Sequence, residues 1–310
     1  MNTPLEIEED NPVLSFKNIG ICTSRPTVNV LSNVSGYVVK GGMTAIMGGS
    51  GSGKTLLLEA LSGRTPNLTI TGDYFLDGMS ADPKDIVNPV AYVPFASSLI
   101  GELTCRETLF NSAALRCNKP LDDINEDVER FLDILGVGEV ADRPIGTYFT
   151  RGLSDGQKKL INIGAELVAS PLVLLLDEPT NDMDSEIAYE VLRIIKDIAR
   201  ESNMSVILSV SQPSARMMDL FDHIMLLGGG SMNFFGTTSE AVEYFSSIGF
   251  APLDNHMPTD YFLQVSDPTY APCNDFNFEG KQCVPKLLSQ EIKLLDLPFK
   301  PFPLTVLTSF

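Results

Sequence analysis

A glycine-rich run near position 50 constrains the fold of this chain more than any other stretch of its sequence. The run fits the pattern G-x-x-x-x-G-K-[ST] and consists of Gly48-Gly49-Ser50-Gly51-Ser52-Gly53-Lys54-Thr55. An apolar stretch, Met43–Met47, precedes it and is typical of a buried strand. Leucines with helical spacing follow it between Leu56 and Leu61. Strand, loop and helix in this order are the context in which such a loop binds phosphate.

Each part of this loop suits the binding of an anion. Glycines allow the backbone to curl so that successive N–H groups point at one phosphate, and the helix N-terminus adds its positive end. We expect Lys54 to reach the β- and γ-phosphates and Thr55 to hold Mg²⁺. The alternative, a surface loop rich in Gly and Ser, explains neither the strand before it nor the helix after it. The loop therefore predicts a nucleotide-binding site.

The composition of the chain limits the partners that it can have. Of its 310 residues, 44% are hydrophobic, which is enough to bury a full core. A net charge of −18 repels nucleic acid and anionic lipid, so we expect no nucleic-acid partner. The acidic N-terminus lacks the features of a signal peptide, and no run approaches the ~18 apolar residues of a spanning helix. We therefore expect that this polypeptide alone does not cross a membrane.

Five cysteines are scattered along the chain without a C-x-x-C pair, at Cys22, Cys105, Cys117, Cys273 and Cys283. Free thiols in a reducing cytosol are the expected state for this spacing. Cys273 and Cys283 could pair or bind a metal, but no histidine lies near them to support a metal site.

Apolar runs that alternate with helical patterns predict a parallel sheet with helices on both faces. Val13–Phe16, Val28–Leu31 and Thr69–Leu76 are predicted to form a small antiparallel sheet that leans on the nucleotide. The other predicted strands are 90–93, 172–176, 206–210, 224–227 and 232–235. We divide the chain into an acidic tail at 1–12, a nucleotide-binding domain at 13–250 with a helical part at about 105–170, and a Pro-rich extension at 251–310.

Two acidic residues directly follow the apolar strand 172–176. Asp177 and Glu178 therefore stand at the carboxyl end of a buried parallel strand, which faces the phosphate loop. This position allows Asp177 to bind Mg²⁺ through water and Glu178 to polarise the water that attacks the γ-phosphate. Two solvated acids after a strand are the alternative, but the phosphate loop upstream makes a paired site the better explanation.

Further motifs stand in the order and spacing of an ATP-binding cassette, or ABC, domain. They are Ser154-Asp155-Gly156-Gln157, Asp177-Glu178-Pro179-Thr180 and Asp184. In the first motif, Ser154 followed three residues later by Gln157 also predicts a capping box at the start of a helix. The chain resembles this family from about Val13 to Pro268. Finer motifs resemble the White and pleiotropic-drug-resistance group, the G subfamily, at 101–109, 152–159, 211–214, 220–222 and 243–262.

The resemblance implies an α/β fold with a P-loop NTPase core, a mostly parallel sheet, a small antiparallel β subdomain and a helical signature subdomain. It also implies an ATPase with ATP and Mg²⁺ as cofactors. Lys54 and Glu178 would be catalytic, and Thr55 and Asp177 would hold Mg²⁺. Residues 154–157 would face the nucleotide of a partner cassette, Asp184 would lie in the D-loop, and Ser211 would occupy the switch position.

Partners and location also follow from the resemblance. Two cassettes, as a homo- or heterodimer, would dock head to tail, with each ATP between one phosphate loop and the Ser154 of the other chain. Closure of the pair would drive a transmembrane domain, which family members carry after the cassette in the same polypeptide. That domain is missing here, so it would lie in cis beyond a fragment or in trans on a partner. The cassette would work at the cytoplasmic face of a membrane.

Two departures from the family pattern concern the γ-phosphate. Asp155 stands where the signature has a glycine, so its carboxylate either repels the partner's phosphate or points aside as a helix-capping residue. Ser211 stands where the switch histidine is expected, and serine carries no positive charge. The two histidines do not replace it, because His223 is at the edge of a core strand and His256 is in a loop.

Other departures concern Mg²⁺, adenine and the D-loop. Phe95 stands where a glutamine is expected after the strand 90–93, and phenylalanine can neither coordinate Mg²⁺ nor position water. No tyrosine for stacking adenine lies between residues 19 and 28, and Phe16 is the nearest ring. The loop 181–184 keeps only Asp184 of the usual pattern.

The retained and altered positions together predict a nucleotide-binding subunit that hydrolyses ATP slowly. Loss of a γ-phosphate contact costs roughly 10²–10³ in rate. We therefore expect a cassette that couples ATP to export of a compound such as a lipid, sterol or xenobiotic. The alternatives are a non-transport ABC protein that acts on ribosomes or as a regulatory switch, and a module that uses ATP only to hold a dimer.

Overall fold

The computed structural model of the chain describes residues 12–24, 27–65, 68–147, 149–247 and Phe262. Ten strands lie in that part: β1 (Pro12–Ser24), β2 (Thr27–Val39), β3 (Met43–Met47), β4 (Leu68–Leu76), β5 (Met79–Ala81), β6 (Val90–Val93), β7 (Val173–Leu176), β8 (Ser205–Ser209), β9 (His223–Gly228) and β10 (Ser231–Gly236). The α-helices of that part are α1 (Lys54–Leu61), α2 (Pro83–Ile86), α3 (Cys105–Arg116), α4 (Leu121–Ile134), α5 (Asp155–Leu167), α6 (Ser185–Ser202), α7 (Ala215–Met218) and α8 (Thr238–Ser247).

All ten strands join one sheet in the order β5-β4-β1-β2-β10-β9-β3-β8-β7-β6. Five neighbours, β9, β3, β8, β7 and β6, are parallel to one another. At the other end, β1, β2, β4 and β5 pair antiparallel. Strand β10 pairs antiparallel with β9. A single parallel bridge from Ser231 of β10 to Ser32 of β2 then joins the two parts of the sheet. The predicted parallel core and small antiparallel sheet are therefore both present, as two ends of one sheet.

The first two strands are longer than the sequence predicts. Val13–Phe16 and Val28–Leu31 were expected as short strands, whereas β1 and β2 each have 13 residues. Irregular steps in their pairing explain the difference, because Asn18 and Asn33 take left-handed φ angles of 53° and 55° and interrupt the alternation of side chains. In the opposite sense, Leu172 lies before β7 and is 45% exposed, so the predicted strand 172–176 is one residue too long.

The parallel strands are covered on both faces, as their continuous apolar sequences predict. In β7, Leu174 and Leu176 belong to one buried cluster, while Val173 and Leu175 belong to the other. Alternation of side chains across a strand sends neighbours to opposite faces. Helices α3, α5 and α6 contribute to the first cluster, and α1 with the antiparallel strands contributes to the second. The strand ends are thereby held firmly between two cores.

The helical part predicted at about 105–170 contains α3, α4 and α5. Thr104 caps α3 with a reciprocal capping box, since its side chain accepts from the Glu107 N–H and the Glu107 carboxylate accepts from the Thr104 N–H. Leu109 of α3 packs in the first cluster with Val128 and Leu132 of α4. No helix in the described ranges is both long enough and apolar enough to span a membrane.

Candidate functional site

The phosphate loop connects the end of β3 to the start of α1, as predicted. Gly48, Gly51 and Gly53 take φ angles of 155°, 79° and 97°, which side chains rarely allow. A Cβ on Gly48 would stand 2.3 Å from the Leu227 carbonyl oxygen, and one on Gly53 would stand 2.9 Å from the Leu31 side chain. The loop therefore needs glycine at these two positions for space as well as for conformation.

Lys54 lies within the curl of this loop and is 8% exposed. Its Nζ donates to the Gly48 carbonyl oxygen at 2.8 Å and to that of Gly49 at 3.4 Å. The same Nζ stands 3.6 Å from Oε1 of Glu178. The loop and the strand that carries Glu178 are thus brought together around one ammonium group.

Thr55 and Asp177 meet as the sequence predicts. The Thr55 hydroxyl donates to Asp177 Oδ2 at 2.9 Å, and Asp177 is 2% exposed. Oxygen ligands of this kind suit Mg²⁺, which keeps several waters and needs few protein groups. Within the described residues, the buried Ser52 hydroxyl of the same loop has no hydrogen-bond partner, so a polar group at the site is left to be satisfied. The donor set therefore fits Mg²⁺ held by Thr55 and Asp177 beside a bound phosphate.

Glu178 is held at both its backbone and its side chain. Its φ angle of 43° is left-handed, an uncommon conformation for a residue with a side chain. Its N–H donates to the Ser209 hydroxyl at 2.7 Å. The Ser211 N–H donates to Oε2 at 3.1 Å, and the Ser211 hydroxyl donates to Oε1. These contacts fix where the Glu178 carboxylate points.

Sequence reasoning did not single out Ser209, the last residue of β8. Its buried hydroxyl donates to Asp177 Oδ1 at 2.6 Å while accepting from the Glu178 N–H. It lies two positions before Ser211, so the spacing of strand residues could have indicated a second serine beside the acids. The pattern of 206–210 predicts an apolar strand, and that interpretation assigns no polar role to Ser209.

Burial and like charge perturb the groups around the site. Burial raises the pKa of Glu59, and the nearby Asp177 raises it further. Burial lowers the pKa of Lys159 on α5, although Asp177 and Glu178 oppose that change. Glu59 and Lys159 therefore lie close enough to Asp177 to interact with it through charge.

The signature motif opens α5 with the predicted capping box. The Ser154 hydroxyl accepts from the Gln157 N–H at 3.3 Å, and Gln157 Oε1 accepts from the Ser154 N–H at 3.1 Å. Ser154 is therefore the N-cap residue, and Asp155 is the first residue of α5. The Asp155 side chain is 83% exposed, with Lys158 Nζ at 3.9 Å. Gly156 is buried, and a Cβ there would stand 2.9 Å from the Ile187 side chain.

The remaining predicted site positions differ in their surroundings. Phe95 is 53% exposed and lies just after β6, whose Val93 carbonyl accepts from the Asp177 N–H at 3.0 Å. Asp184 is the N-cap residue of α6 and makes no side-chain capping bond there. Phe16 is 1% exposed in the core, so it is not a surface for adenine. Signature residues 154–157 make no hydrogen bond to the phosphate loop within the part of the chain described.

Both histidines were expected to be poor substitutes for a switch residue. His223 begins β9 and its ring stacks on Phe235, with centroids 5.6 Å apart, and meets Tyr37 edge to face. This aromatic setting agrees with a structural role. His256, Cys273 and Cys283 lie outside the described residues.

Comparison with known proteins gives a consistent result. A family model described as ABC transporter matches residues 31–181, and one described as ABC-2 type transporter matches residues 211–289. A probable ATP-dependent permease of Saccharomyces cerevisiae is 36% identical over 86% of this chain and 26% of that protein. The chain belongs to the ABC transporter family. The predicted resemblance to the G subfamily is confirmed. The prediction that the enzyme class is an ATPase of the ABC type is confirmed as well.

Two further relatives belong to the G subfamily by name. ABC transporter G family member 11 of Arabidopsis thaliana is 38% identical over 77% of this ABC chain and 34% of its own length. The broad substrate specificity ATP-binding cassette transporter ABCG2 of Rattus norvegicus is 37% identical over 76% of this chain and 36% of its own. The chain thus spans about a quarter to a little over a third of these relatives.

A solved structure supports the fold. The chain is similar to cbiO1 from Clostridium perfringens, part of the ABC transporter complex cbiONQ, with a TM-score of 0.65 and 22% identity. The match covers 77% of this chain and 94% of cbiO1. The predicted ABC ATPase fold is confirmed by this likeness, which at such low identity carries information about fold alone.

Proposed function

We propose that this chain is the ATP-hydrolysing cassette of a G-type ABC exporter and that its hydrolysis is slow. One observation carries the proposal: Thr55 meets Asp177 at 2.9 Å, and Lys54 meets Glu178 at 3.6 Å. These four residues come from the start of α1 and the end of β7, two places far apart in the sequence. Their convergence is the arrangement that phosphoryl transfer to water requires.

Each residue has a distinct task in that reaction. Backbone N–H groups at the start of α1 bind phosphate oxygens, and Lys54 leaves its carbonyl partners to contact the β- and γ-phosphates. Mg²⁺, when bound at Thr55 and Asp177, offsets the charge on the phosphates. Glu178 orients the attacking water and accepts its proton, which is a general-base role. The buried surroundings of Asp177 keep these charge interactions strong.

Three altered positions support slow turnover. Ser211 lacks the charge of a histidine, Phe95 lacks the amide of a glutamine, and Asp155 adds an exposed carboxylate to the first turn of α5. We propose that the Asp155 carboxylate faces the γ-phosphate held by a second cassette and weakens its binding there. The predicted consequence is a rate about 10²–10³ below that of a cassette with all contacts.

Removal of the added carboxylate gives a direct prediction. Asp155→Gly removes the negative charge that, under this proposal, faces the γ-phosphate held by the second cassette. We expect this variant to hydrolyse ATP at least about tenfold faster than the wild type, since a lost contact costs a few kcal/mol. Steady-state phosphate release measures the change. An unchanged or lower rate in Asp155→Gly contradicts the view that the Asp155 carboxylate limits turnover.

The assembly is also part of the proposal. A second cassette binds head to tail, so that Ser154 of each chain faces the nucleotide of the other. A transmembrane domain, joined in cis or bound in trans, converts closure of the pair into export, and the cassette lies at the cytoplasmic face of the membrane. The G-subfamily relatives, of which the chain covers about a third, support this assembly.

The testing experiment is ATP binding and single-turnover hydrolysis by the purified chain with Mg²⁺. Lys54→Ala should lose ATP binding, because Lys54 is the buried cation of the loop. Glu178→Gln should keep binding and lose turnover. Absence of ATP binding by the wild type, or equal turnover by Glu178→Gln, overturns the proposal. Binding without turnover by the wild type favours the alternative of a regulatory or dimerisation module.

A further inference from the structure

Ser211 donates a hydrogen bond to each oxygen of the Glu178 carboxylate. Its N–H donates to Oε2 at 3.1 Å, and its hydroxyl donates to Oε1. Hydrogen bonds to an ionised acceptor are stronger than neutral ones, and a pair of them also fixes orientation. The carboxylate is thus held at two points by one residue, which restricts rotation about its terminal bond.

The backbone of Glu178 is fixed from the same strand end. The Ser209 hydroxyl accepts from the Glu178 N–H at 2.7 Å, and Ser209 itself is fully buried. Glu178 keeps a left-handed φ angle of 43° under this restraint. Ser209 therefore restrains the backbone of Glu178, and Ser211 restrains its carboxylate.

Among the described residues, Lys54 also contacts the Glu178 carboxylate, with its Nζ 3.6 Å from Oε1. Under the proposed function, Lys54 turns to the phosphates when ATP binds, so this contact weakens at that step. The two bonds from Ser211 are therefore the contacts that remain on the carboxylate during hydrolysis.

Ser211 could either position Glu178 or contact the γ-phosphate, and the hydrogen-bonding capacity of serine distinguishes these two roles. A serine hydroxyl has one proton to donate, and that of Ser211 is directed at Glu178. Its backbone N–H is directed at Glu178 as well. Neither donor is left for a phosphate oxygen while this arrangement lasts, and a hydroxyl brings no charge to attract one.

We propose that Ser211 is a positioning residue for Glu178 and makes no contact with the γ-phosphate. The inference rests on the proposed function, because it assigns Ser211 a part in that hydrolysis. It predicts that Ser211 affects the rate only through Glu178. It also predicts that Ser211 contributes nothing to the preference for ATP over ADP.

The test is a double-variant cycle with Ser211→Ala, Glu178→Gln and the combination of both. Single-turnover hydrolysis by Ser211→Ala should fall about 10²-fold, since a misplaced catalytic group costs this much. Ser211→Thr keeps the hydroxyl and should stay within about tenfold of the wild type. In the Glu178→Gln background, Ser211→Ala should leave the residual rate unchanged within about twofold, because additivity fails for residues that act as a unit.

Binding and structure supply readouts that do not depend on turnover. Calorimetry with Mg-ATP and Mg-ADP should give affinities for Ser211→Ala within about twofold of the wild type for both nucleotides. A nucleotide-free crystal structure of Ser211→Ala should show the Glu178 carboxylate turned away from its wild-type position. Ser246→Ala is the control, because this exposed hydroxyl on α8 only donates to the Val242 carbonyl oxygen.

Several results overturn the inference. Selective loss of ATP affinity in Ser211→Ala would show contact with the γ-phosphate, and an unchanged rate or an unmoved Glu178 would show that no positioning is needed. A rate loss of equal size in the Glu178→Gln background would show action through another group. Failure of the proposed function is distinguishable from these, because the wild type itself would then fail to bind or hydrolyse ATP.

Discussion

At the scale of single residues, one serine hydroxyl joins the two acids of the site. Ser209 donates to Asp177 at 2.6 Å and accepts from the Glu178 N–H at 2.7 Å. Its removal would leave a buried oxygen of Asp177 with one donor fewer and the half-buried Glu178 N–H without this acceptor. An unsatisfied buried polar group costs about 1–3 kcal/mol.

We predict that Ser209→Ala lowers both the unfolding free energy and the rate of hydrolysis. The stability loss should be about 1–3 kcal/mol, measured by urea unfolding without nucleotide. Ser205→Ala on the same strand is the matched control, since Ser205 is also fully buried and its hydroxyl donates to the Val39 carbonyl oxygen at 2.8 Å. This control should lose similar stability but keep the wild-type single-turnover rate. Equal rates for both variants would contradict a role of Ser209 in the site.

Glu59 gives a pH-dependent prediction. Burial, with a further effect from Asp177, raises its pKa above 4.5 in the folded chain. A group whose pKa is raised by folding adds stability below its unfolded pKa and loses that contribution as the pH rises through its folded value. Glu59→Gln should therefore exceed the wild type in unfolding free energy at pH 7, with the excess shrinking as the pH falls towards 4.5.

Urea unfolding of the metal-free and nucleotide-free chain across pH 4.5–7.5 checks this expectation for Glu59. Glu201→Gln, at an exposed glutamate in the last turn of α6, is the control for an amide substitution. A difference between Glu59→Gln and the wild type that stays constant with pH would count against burial of a charged carboxylate.

At the scale of elements, α6 is tied to the parallel core by one ion pair. Lys196 on α6 is 3% exposed and binds Asp222, which lies just before β9. The same Asp222 oxygen accepts from the Met43 N–H at the start of β3. One carboxylate thus joins a helix to the strand that leads into the phosphate loop.

We predict that Asp222→Ala lowers the unfolding free energy by about 3–5 kcal/mol, because it leaves the Lys196 charge buried and unpaired. Lys196→Met in the same chain should restore part of the loss, since it removes that charge. Glu190→Ala should cost less than about 1 kcal/mol, because its partner Arg193 and Glu190 are each 47% exposed. Urea unfolding measures all of these variants. Equal losses for Asp222→Ala and Glu190→Ala would contradict the conclusion that Asp222 pairs with a buried Lys196 charge.

Elements differ in how well the sequence predicts them. The start of α5 is predicted from Ser154 and Gln157 alone, because a capping box depends on residues three apart. The lengths of β1 and β2 are not, because residues in left-handed conformation reset the alternation within each strand. Local chemistry determines the first feature, while pairing between distant strands determines the second.

At the scale of the whole molecule, the antiparallel and parallel parts of the sheet meet at one narrow junction. Ser32 of β2 bridges Ser231 of β10, and the Ser32 N–H donates to the Gly230 carbonyl oxygen at 2.9 Å. Gly230 has a φ angle of 78°, and a Cβ there would stand 2.9 Å from the Val30 carbonyl oxygen. Close approach of two backbones depends on this glycine.

We predict that Gly230→Ala loosens this junction. Gly78→Ala is the matched control, because Gly78 has a nearly equal φ angle of 77° but open space around its Cβ. Both variants carry the strain of a left-handed residue with a side chain, and only the first also meets the Val30 carbonyl. The unfolding free energy of Gly230→Ala should be lower than that of Gly78→Ala by about 1–2 kcal/mol, the scale of overpacking. Equal values would show that the junction tolerates a methyl group.

The sequence by itself determined the phosphate loop, the acids Asp177 and Glu178, the cap of α5 and the family, because each depends on residues close together in the chain. Only the tertiary structure decided that Ser209 hydrogen-bonds to both Asp177 and Glu178, that Ser211 hydrogen-bonds to the Glu178 carboxylate, and that Phe16 is buried. These outcomes depend on distances between strands that neither composition nor spacing contains, because packing between two cores fixes them.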